Sequence, residues 1–239
     1  MGIDITDDNQ ILCNNTHQKL VNTDISSNPT STIIHNISIH SIYKRVKTRS
    51  NQWDGNPLIY ALKNQKGYSL SRTELKKFLY SFYYILNKLL HDKTYDLILV
   101  LPSSSNVAKG VSKRVSRCLA KKLVVQDIFE KQSIAEVIDK IDIDIVTNRS
   151  KQKELKRQLS KLQKVDRDKT FSMKNVPPKV REYFSPIKLQ SKFDFTQYKN
   201  ILIVDDLLAT GNSIKSARDI IVKQNSKVNI EGLCLFSGL

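Results

Sequence analysis

Two segments of the chain repeat the same order of a short apolar run, a polar loop and a stretch with helical spacing. The first covers residues 96–122 and the second residues 200–224. A short apolar run that ends in a polar loop is typical of a strand buried on both faces of a parallel sheet. Strand–loop–helix units that recur in this way predict an α/β fold, in which helices flank an open, mainly parallel twisted sheet.

Three further segments continue this pattern. Residues 37–46 alternate apolar and polar side chains, which predicts a strand, and residues 228–236 predict a final one. Residues 69–90 have helical spacing, and Ser71 with Glu74 forms a capping box at the start. Because the helical period already explains the aromatic residues of 69–90, we expect them in the core and not on a stacking surface.

The composition divides the chain into two parts. Residues 1–36 are rich in Asn, Thr, Ser and Asp without a reliable period, so we expect a loose, flexible polar tail. Residues 37–239 hold the repeated units and form the predicted domain. Within it, residues 148–181 carry twelve Lys or Arg against three Asp or Glu, and Pro177-Pro178 ends any regular element. We therefore predict a basic, flexible insertion at 148–181.

The excess of positive charge narrows the choice of partners. Lys and Arg total 39 against 23 Asp and Glu, which gives a formal net charge of +16. Such an excess attracts polyanions, among them DNA, RNA, nucleotides and pyrophosphates. A solvated surface without such a partner explains the same charge equally well.

The sequence favours a cytoplasmic protein with no membrane contact. The apolar runs are too short for a membrane-spanning helix, which takes about 20 apolar residues. The N-terminus lacks the basic segment and apolar run of a secretory signal. Cys13, Cys118 and Cys234 are far apart, which suits a reducing compartment better than a disulfide framework or a zinc cluster. The four histidines show no metal-ligand spacing, so we expect no metal site built from protein ligands.

The most informative stretch runs from Ile201 to Ser213 and reads ILIVDDLLATGNS. Asp205 and Asp206 end the predicted strand, where ligands lie in an open parallel sheet. The small residues that follow let backbone amides approach a ligand, Thr210 adds a hydroxyl donor, and the N-terminus of the next helix attracts phosphate. Carboxylates beside an anion site suit a ribose phosphate, because the acids accept from the sugar hydroxyls while the loop holds the phosphate. A plain strand followed by helix-capping residues is the competing interpretation, but a cap needs no second carboxylate.

This stretch resembles the signature of the type I phosphoribosyltransferases. In that family four apolar residues precede an acidic pair, two apolar residues and a small-Thr-Gly-x-Ser/Thr loop, and every position of 201–213 fits. Residues 54–79 and, more loosely, residues 162–175 resemble the ComF-like, competence-associated members. Those members carry an apolar pair, an LK segment, a Gly and a long helix in the first region. They often add an N-terminal cysteine zinc site, which this sequence does not show.

The resemblance implies a type I phosphoribosyltransferase fold with a small N-terminal hood, here from parts of 37–66 together with 225–239. It implies phosphoribosyl pyrophosphate or a nucleotide as the ligand, with Mg²⁺ bound through the pyrophosphate. Asp205 and Asp206 are the implied catalytic residues beside an oxocarbenium-like sugar. The implied phosphate loop comprises Leu207, Leu208, Ala209, Thr210, Gly211, Asn212 and Ser213.

The turn at 102–106 corresponds to the pyrophosphate loop of the family, and an ordinary turn with an N-cap at Asn106 is the alternative. It departs from the family because no Lys or Arg occurs there before Lys109. We therefore expect charge for the leaving group from residues 148–169 folded over the site as a lid, with Arg167 and Lys169 as candidates. A surface or nucleic-acid role for the same residues is an equal alternative. The implied pyrophosphate-binding residues are Ser103, Ser104, Ser105, Asn106 and Lys109.

Two functions follow from these features. The first is an enzyme of nucleotide metabolism, a phosphoribosyltransferase and hence a glycosyltransferase. The second is a regulator that binds a ligand and nucleic acid with little turnover, or an effector subunit in defence or DNA uptake. The uncharged loop at 102–106 and the basic segment favour this second function. The family commonly forms homodimers, and residues 1–36 are a candidate docking arm for a partner protein.

Overall fold

A mixed sheet of mostly parallel strands flanked by helices forms the centre of the chain, which confirms the α/β prediction. The computed structural model describes residues 1–46, 56–119, 123 and 125–237. In this part of the chain, seven strands form the main sheet and two pairs of strands lie beside it. The strands are β1 (Gly2–Ile5), β2 (Ile11–Asn14), β3 (Val21–Asn22), β4 (Thr30–Ile34), β5 (Ile37–Arg45), β6 (Leu97–Val100), β7 (Val125–Gln126), β8 (Phe129–Lys131), β9 (Ile187–Leu189), β10 (Asn200–Leu207) and β11 (Asn229–Phe236).

The main sheet is parallel in its middle and antiparallel at one edge. The parallel strands follow the order β5-β11-β10-β6-β7, and β3 and β4 pair antiparallel with β5. Leu97 pairs with Ile201 and Val100 with Val204, so β6 and β10 end at the same edge of the sheet. The loops that follow these two strands therefore lie side by side at the carboxyl edge.

Helices cover both faces of the main sheet, which explains why the central strands are apolar throughout. Leu58, Phe78 and Val111 pack on one face, while Ile214 and Ile221 pack on the other. The helices of the described residues are α1 (Pro57–Leu62), α2 (Arg72–Leu90), α3 (Val107–Cys118), α4 (Ile134–Ile138), α5 (Arg149–Leu162) and α6 (Asn212–Val222).

Residues 1–36 are folded against the domain, so the prediction of a loose tail was wrong. They form β1 to β4, and Ile3, Ile11 and Val21 are buried in the core. These three residues lie on the inward sides of short strands, whereas Leu12 and Ile33 are 41% and 76% exposed, so the apolar residues of 1–36 show no clear period. The β4–β5 hairpin closes through His35 and Asn36, whose φ angles of 52° and 60° suit the tight turns that match strand twist.

The basic segment 148–181 also packs on a core of its own, which differs from the predicted flexible insertion. Its main element is α5, and a short 3₁₀ helix starts at Pro178. Their inward side chains join those of α4 in a separate apolar cluster. The cluster comprises Ile134, Val137, Val146, Leu155, Leu159, Leu162, Phe171, Val176, Val180 and Phe184.

The aromatic residues of α2 divide between the core and the surface. Phe78 and Phe82 are buried, as predicted, but Tyr80 and Tyr84 are 75% and 49% exposed. The helical period places these tyrosines on the outer side, so the expectation that all the aromatics of 69–90 lie in the core was wrong. The side chain of Ser71 caps the helix by accepting from the amide of Glu74, which is one half of the predicted capping box. The other half is not formed, because the carboxylate of Glu74 accepts from the amide of Cys13 and pairs with Lys77.

The predicted hood is described only in part. Of its residues, 47–55, 238 and 239 lie outside the described residues. No described helix has the length and apolar character needed to cross a membrane.

Candidate functional site

The acidic pair lies at the carboxyl edge of the sheet, at the end of β10. Asp205 and Asp206 point to opposite faces of the sheet because side chains alternate along a strand. Asp206 is 5% exposed, whereas Asp205 is partly exposed and lines a cavity. Burial, and then the charge of Asp206, raise the pKa of Asp205 to about 7. The folded chain therefore holds a proton on Asp205 more tightly than an ordinary aspartate holds one.

Asp206 connects three elements of the fold. Its Oδ2 lies 2.6 Å from the Nζ of Lys63, and the Oγ of Ser103 donates to the same oxygen at 2.5 Å. Lys63 follows the last residue of α1, and Ser103 follows β6. Both charges of the ion pair are shielded, since the side chains of Lys63 and Asp206 are 14% and 7% exposed.

Lys63 was missed by the sequence analysis as a site residue. Its signal was present, because Leu62 and Lys63 are the LK segment in the region that resembles the ComF-like proteins. The sequence alone does not show that this segment lies next to Asp206, because Lys63 and Asp206 are 143 positions apart in the chain.

The loop that follows the acids is shaped by Gly211. This residue has a φ of +73°, and α6 begins at the next residue, Asn212. A Cβ at position 211 would lie 3.1 Å from the Cγ2 of Ile34, in the β4–β5 hairpin. The position therefore needs glycine both for its backbone conformation and for the close approach of the hairpin.

The loop and Asp205 line one cavity of about 120 Å³. This volume is about four times the share of one water molecule in the liquid. Its walls include Leu207 and Leu208 and the whole turn from Ala209 to Ser213, together with Lys174 and Arg181. The structure thus brings the predicted phosphate loop, one of the acids and two cations to a single cavity.

The two cations come from the basic segment 148–181 but are not the two candidates that we predicted, Arg167 and Lys169. Arg167 is 58% exposed and pairs with Asp139 at 3.2 Å, and it does not line this cavity. Instead, the chain beyond α5 turns back over the loop and places Lys174 and Arg181 there. The predicted lid covered residues 148–169, and neither Arg167 nor Lys169 lines this cavity, whose two cations come from later in the basic segment.

A second cavity of about 330 Å³ opens beside the loop after β6. Ser103, Ser104, Ser105 and Asn106 line it, together with Lys109. Lys131 and the carboxylates of Asp127 and Glu130 complete the polar wall, and the Nζ of Lys109 lies 2.6 Å from Asp127 Oδ2. Asn106 precedes α3 without a side-chain capping bond, so an N-cap does not account for this residue.

Arg45 of β5 binds the backbone of the loop that follows β10. Its Nε donates to the carbonyl of Ser237 at 2.6 Å, and its Nη2 donates to the carbonyl of Leu208 at 3.3 Å. Burial lowers the pKa of Arg45 from its ordinary value. No local pattern predicts this role, because Arg45 ends an alternating strand as a surface residue would.

The polar groups around the second cavity fit a hydrated Mg²⁺ that arrives with a diphosphate. Mg²⁺ keeps several water ligands and usually binds through one or two carboxylates plus substrate phosphates. Asp127 and Glu130 supply such carboxylates, and the serine hydroxyls face the same space. The part of the chain that the structure describes holds no group of three or more His, Cys, Asp or Glu able to bind a metal ion.

Comparison of the chain with models of known protein families and with curated protein sequences gives no match.

Proposed function

We propose that this site binds phosphoribosyl pyrophosphate or a related nucleotide, on a fold of the type I phosphoribosyltransferase kind. The observation that carries the proposal is the shared cavity of Asp205, the 209–213 turn, Lys174 and Arg181. A phosphate there meets backbone amides, a helix N-terminus and two cations. A sugar attached to that phosphate lies next to Asp205, which lines the same cavity and accepts from the sugar hydroxyls.

The second cavity receives the pyrophosphate in this proposal. The hydroxyls of Ser103, Ser104 and Ser105 donate to its oxygens, and Lys109 and Lys131 balance its charge. These two lysines provide the cations that the sequence of the 102–106 loop lacks. Mg²⁺ bound through the pyrophosphate would neutralise the charge that develops on the leaving group.

The reaction that suits this arrangement is displacement of pyrophosphate from the anomeric carbon by a nucleophile. The bond from that carbon to the pyrophosphate oxygen breaks as the bond to the nucleophile forms. The carboxylate of Asp206, fixed by Lys63 and Ser103, stabilises positive charge on the sugar ring in the transition state. A site that binds this ligand without turnover would serve as a sensor, so release of pyrophosphate separates the enzyme from the regulator.

Calorimetric titration with phosphoribosyl pyrophosphate and Mg²⁺ tests the binding step. We expect saturable binding by the natural chain and none by the Asp205→Asn/Asp206→Asn variant. Asp92→Asn is the matched control, because the side chain of Asp92 is 90% exposed at the end of α2. Absence of binding at millimolar ligand in the natural chain would remove the proposal. Pyrophosphate release with a panel of nucleobases and amines then tests turnover.

A second candidate function, binding of DNA or RNA, is favoured by the outer face of α5. This helix carries six basic residues and one acid, Glu154. Lys153, Lys156 and Lys161 are exposed, so their charges are available to phosphate groups. Such binding should weaken steeply with salt, and charge removal at these three lysines should reduce the salt dependence. A shift assay without salt-sensitive binding would remove this candidate, and the Asp205→Asn/Asp206→Asn variant should bind nucleic acid unchanged.

A further inference from the structure

A third cavity, of about 300 Å³, lies between α2 and α3 on the face of the sheet that α1 also covers. It is distinct from the two cavities of the proposed sugar-phosphate site. Its size is at the lower limit for small-molecule sites, which are typically about 300–1,000 Å³ and mostly apolar. Its apolar walls come from all three helices and from the ends of two strands. They are formed by Tyr43, Leu58, Leu62, Leu75, Phe78, Leu79, Phe82, Val107, Val111, Leu235 and Phe236.

The depth of the cavity shows in the burial of its walls. Leu58, Phe78 and Val111 are each at most 4% exposed, whereas Leu75 at the rim is 39% exposed. The hydroxyl of Tyr43 donates to the carbonyl of Phe78, so this residue presents only its ring to the space. These residues therefore present only apolar surface to the interior of the cavity, which suits the apolar part of a ligand.

Gly110 of α3 leaves part of this space open. It lines the cavity in the middle of a helix, where glycine is unfavourable. A Cβ at this position would meet only the end of the Arg114 side chain, at 3.3 Å from Nη1. A larger side chain at 110 would point into the cavity without striking backbone.

The charged group at the cavity is Arg114. Its Nη1 donates to the carbonyl of Gly110 at 2.9 Å, and its remaining donors are available to a ligand. α3 contains no acidic residue, and Glu74, the one acid of α2, is already held by Lys77 and by the amide of Cys13. The charge around the cavity therefore favours an anion.

We propose that this cavity binds a small amphiphile, with an aliphatic or aromatic body inside and an anionic end at Arg114. Asn106 lines both this cavity and the second cavity, beside Ser103–Ser105, so the ligand lies next to the proposed pyrophosphate position. The proposal does not depend on the sugar-phosphate site, because Asn106 is the one described lining residue that the two cavities share and the cation is a different one.

The test uses decanoate below the concentration at which it forms micelles. Decanol and decylammonium serve as comparison ligands, because they have the same ten-carbon chain but a neutral and a positively charged head group. Titration calorimetry on the full chain should show saturable binding of decanoate and weaker binding of the other two. Gly110→Leu should abolish decanoate binding and leave the melting temperature unchanged or raised, since Leu fills the cavity and favours the helix. Equal binding by the natural chain and Gly110→Leu, or no binding by the natural chain, would overturn the site.

A second pair of variants tests the charge without filling the cavity. Arg114→Gln should lower decanoate affinity about tenfold, the effect of one hydrogen bond to a charged group. Lys113→Gln is the matched control, because it removes one positive charge from the neighbouring residue, which is exposed and does not line the cavity. It should change the decanoate affinity less than twofold. Equal losses in the two variants, or tighter binding of decanol or decylammonium than of decanoate, would contradict an anionic ligand. Circular dichroism checks that each variant is folded.

Discussion

The ammonium of Lys63 lies 2.6 Å from the carboxylate of Asp206, and both side chains are shielded from water. This ion pair ties the end of α1 to the end of β10, two elements that are distant in sequence. A buried pair of this kind costs desolvation when it forms, but loss of one partner leaves the other charge buried alone. Lys63 therefore holds Asp206 in position and also stabilises the carboxyl edge of the sheet.

Lys63→Met should destabilise the fold by about 3 kcal/mol, because Asp206 loses its counter-charge in a dry environment. Chemical denaturation measures this change. The double variant Lys63→Met/Asp206→Asn should recover part of the loss, since it removes the orphaned charge. A loss below about 1 kcal/mol in Lys63→Met would show that the pair behaves as an exposed one.

The raised pKa of Asp205 predicts a specific dependence of stability on pH. Its value rises from an ordinary 3.8 to about 7, so between these values the folded chain holds a proton that the unfolded chain has released. The contribution of Asp205 to the free energy of unfolding therefore decreases as the pH rises from about 4 to about 7 and is constant above that range.

Asp205→Asn isolates this effect. The difference in unfolding free energy between the variant and the natural chain should grow in favour of the variant across that range. Denaturation curves at several pH values measure it. A difference that does not vary with pH would contradict the shifted pKa.

Gly211→Ala should weaken both folding and ligand binding. Its φ of +73° costs any side chain roughly 1–2 kcal/mol, and the new Cβ also meets Ile34. Gly67 is the matched control, because it has the same φ and no atom within 4 Å of its would-be Cβ. Both alanine variants should lose stability, Gly211→Ala by the larger amount, and only Gly211→Ala should lose affinity for phosphoribosyl pyrophosphate. Equal behaviour of the two variants would contradict the role given to the loop.

Arg181→Gln should reduce affinity for phosphoribosyl pyrophosphate about tenfold, the effect of one charge-assisted hydrogen bond. Arg167→Gln is the control, because Arg167 lies in the same basic segment but pairs with Asp139 at the surface. Its affinity should match that of the natural chain. A larger loss of affinity in Arg167→Gln than in Arg181→Gln would contradict this assignment and indicate that Arg167 binds the ligand.

The sequence predicted the repeated units well because their signals are local. The apolar run of β10, the small residues of its loop and the helical spacing of α6 are contiguous, so each element could be read without its neighbours. The N-terminal strands escaped prediction for the opposite reason. Ile3, Ile11 and Val21 are buried by partners elsewhere in the chain, and strands of two to four residues show no period.

The candidate site divides in the same way. Asp205, Asp206 and the loop to Ser213 form one contiguous motif, and the structure brings most of it to one cavity. Lys63, Arg45 and Arg181 come from other elements, and only the fold brings them near the loop. The charge density of 148–181 cannot show which cation faces inward and which faces solvent, so it could not predict that Arg181 lines the cavity and Arg167 does not.

The decisive experiment is a crystal structure of the chain with phosphoribosyl pyrophosphate and Mg²⁺. We expect the sugar phosphate group within hydrogen-bonding distance of the 209–213 amides, with the sugar hydroxyls at Asp205 and the pyrophosphate beside Ser103–Ser105. A phosphate group bound elsewhere, with the cavity at Asp205 left empty, would contradict it.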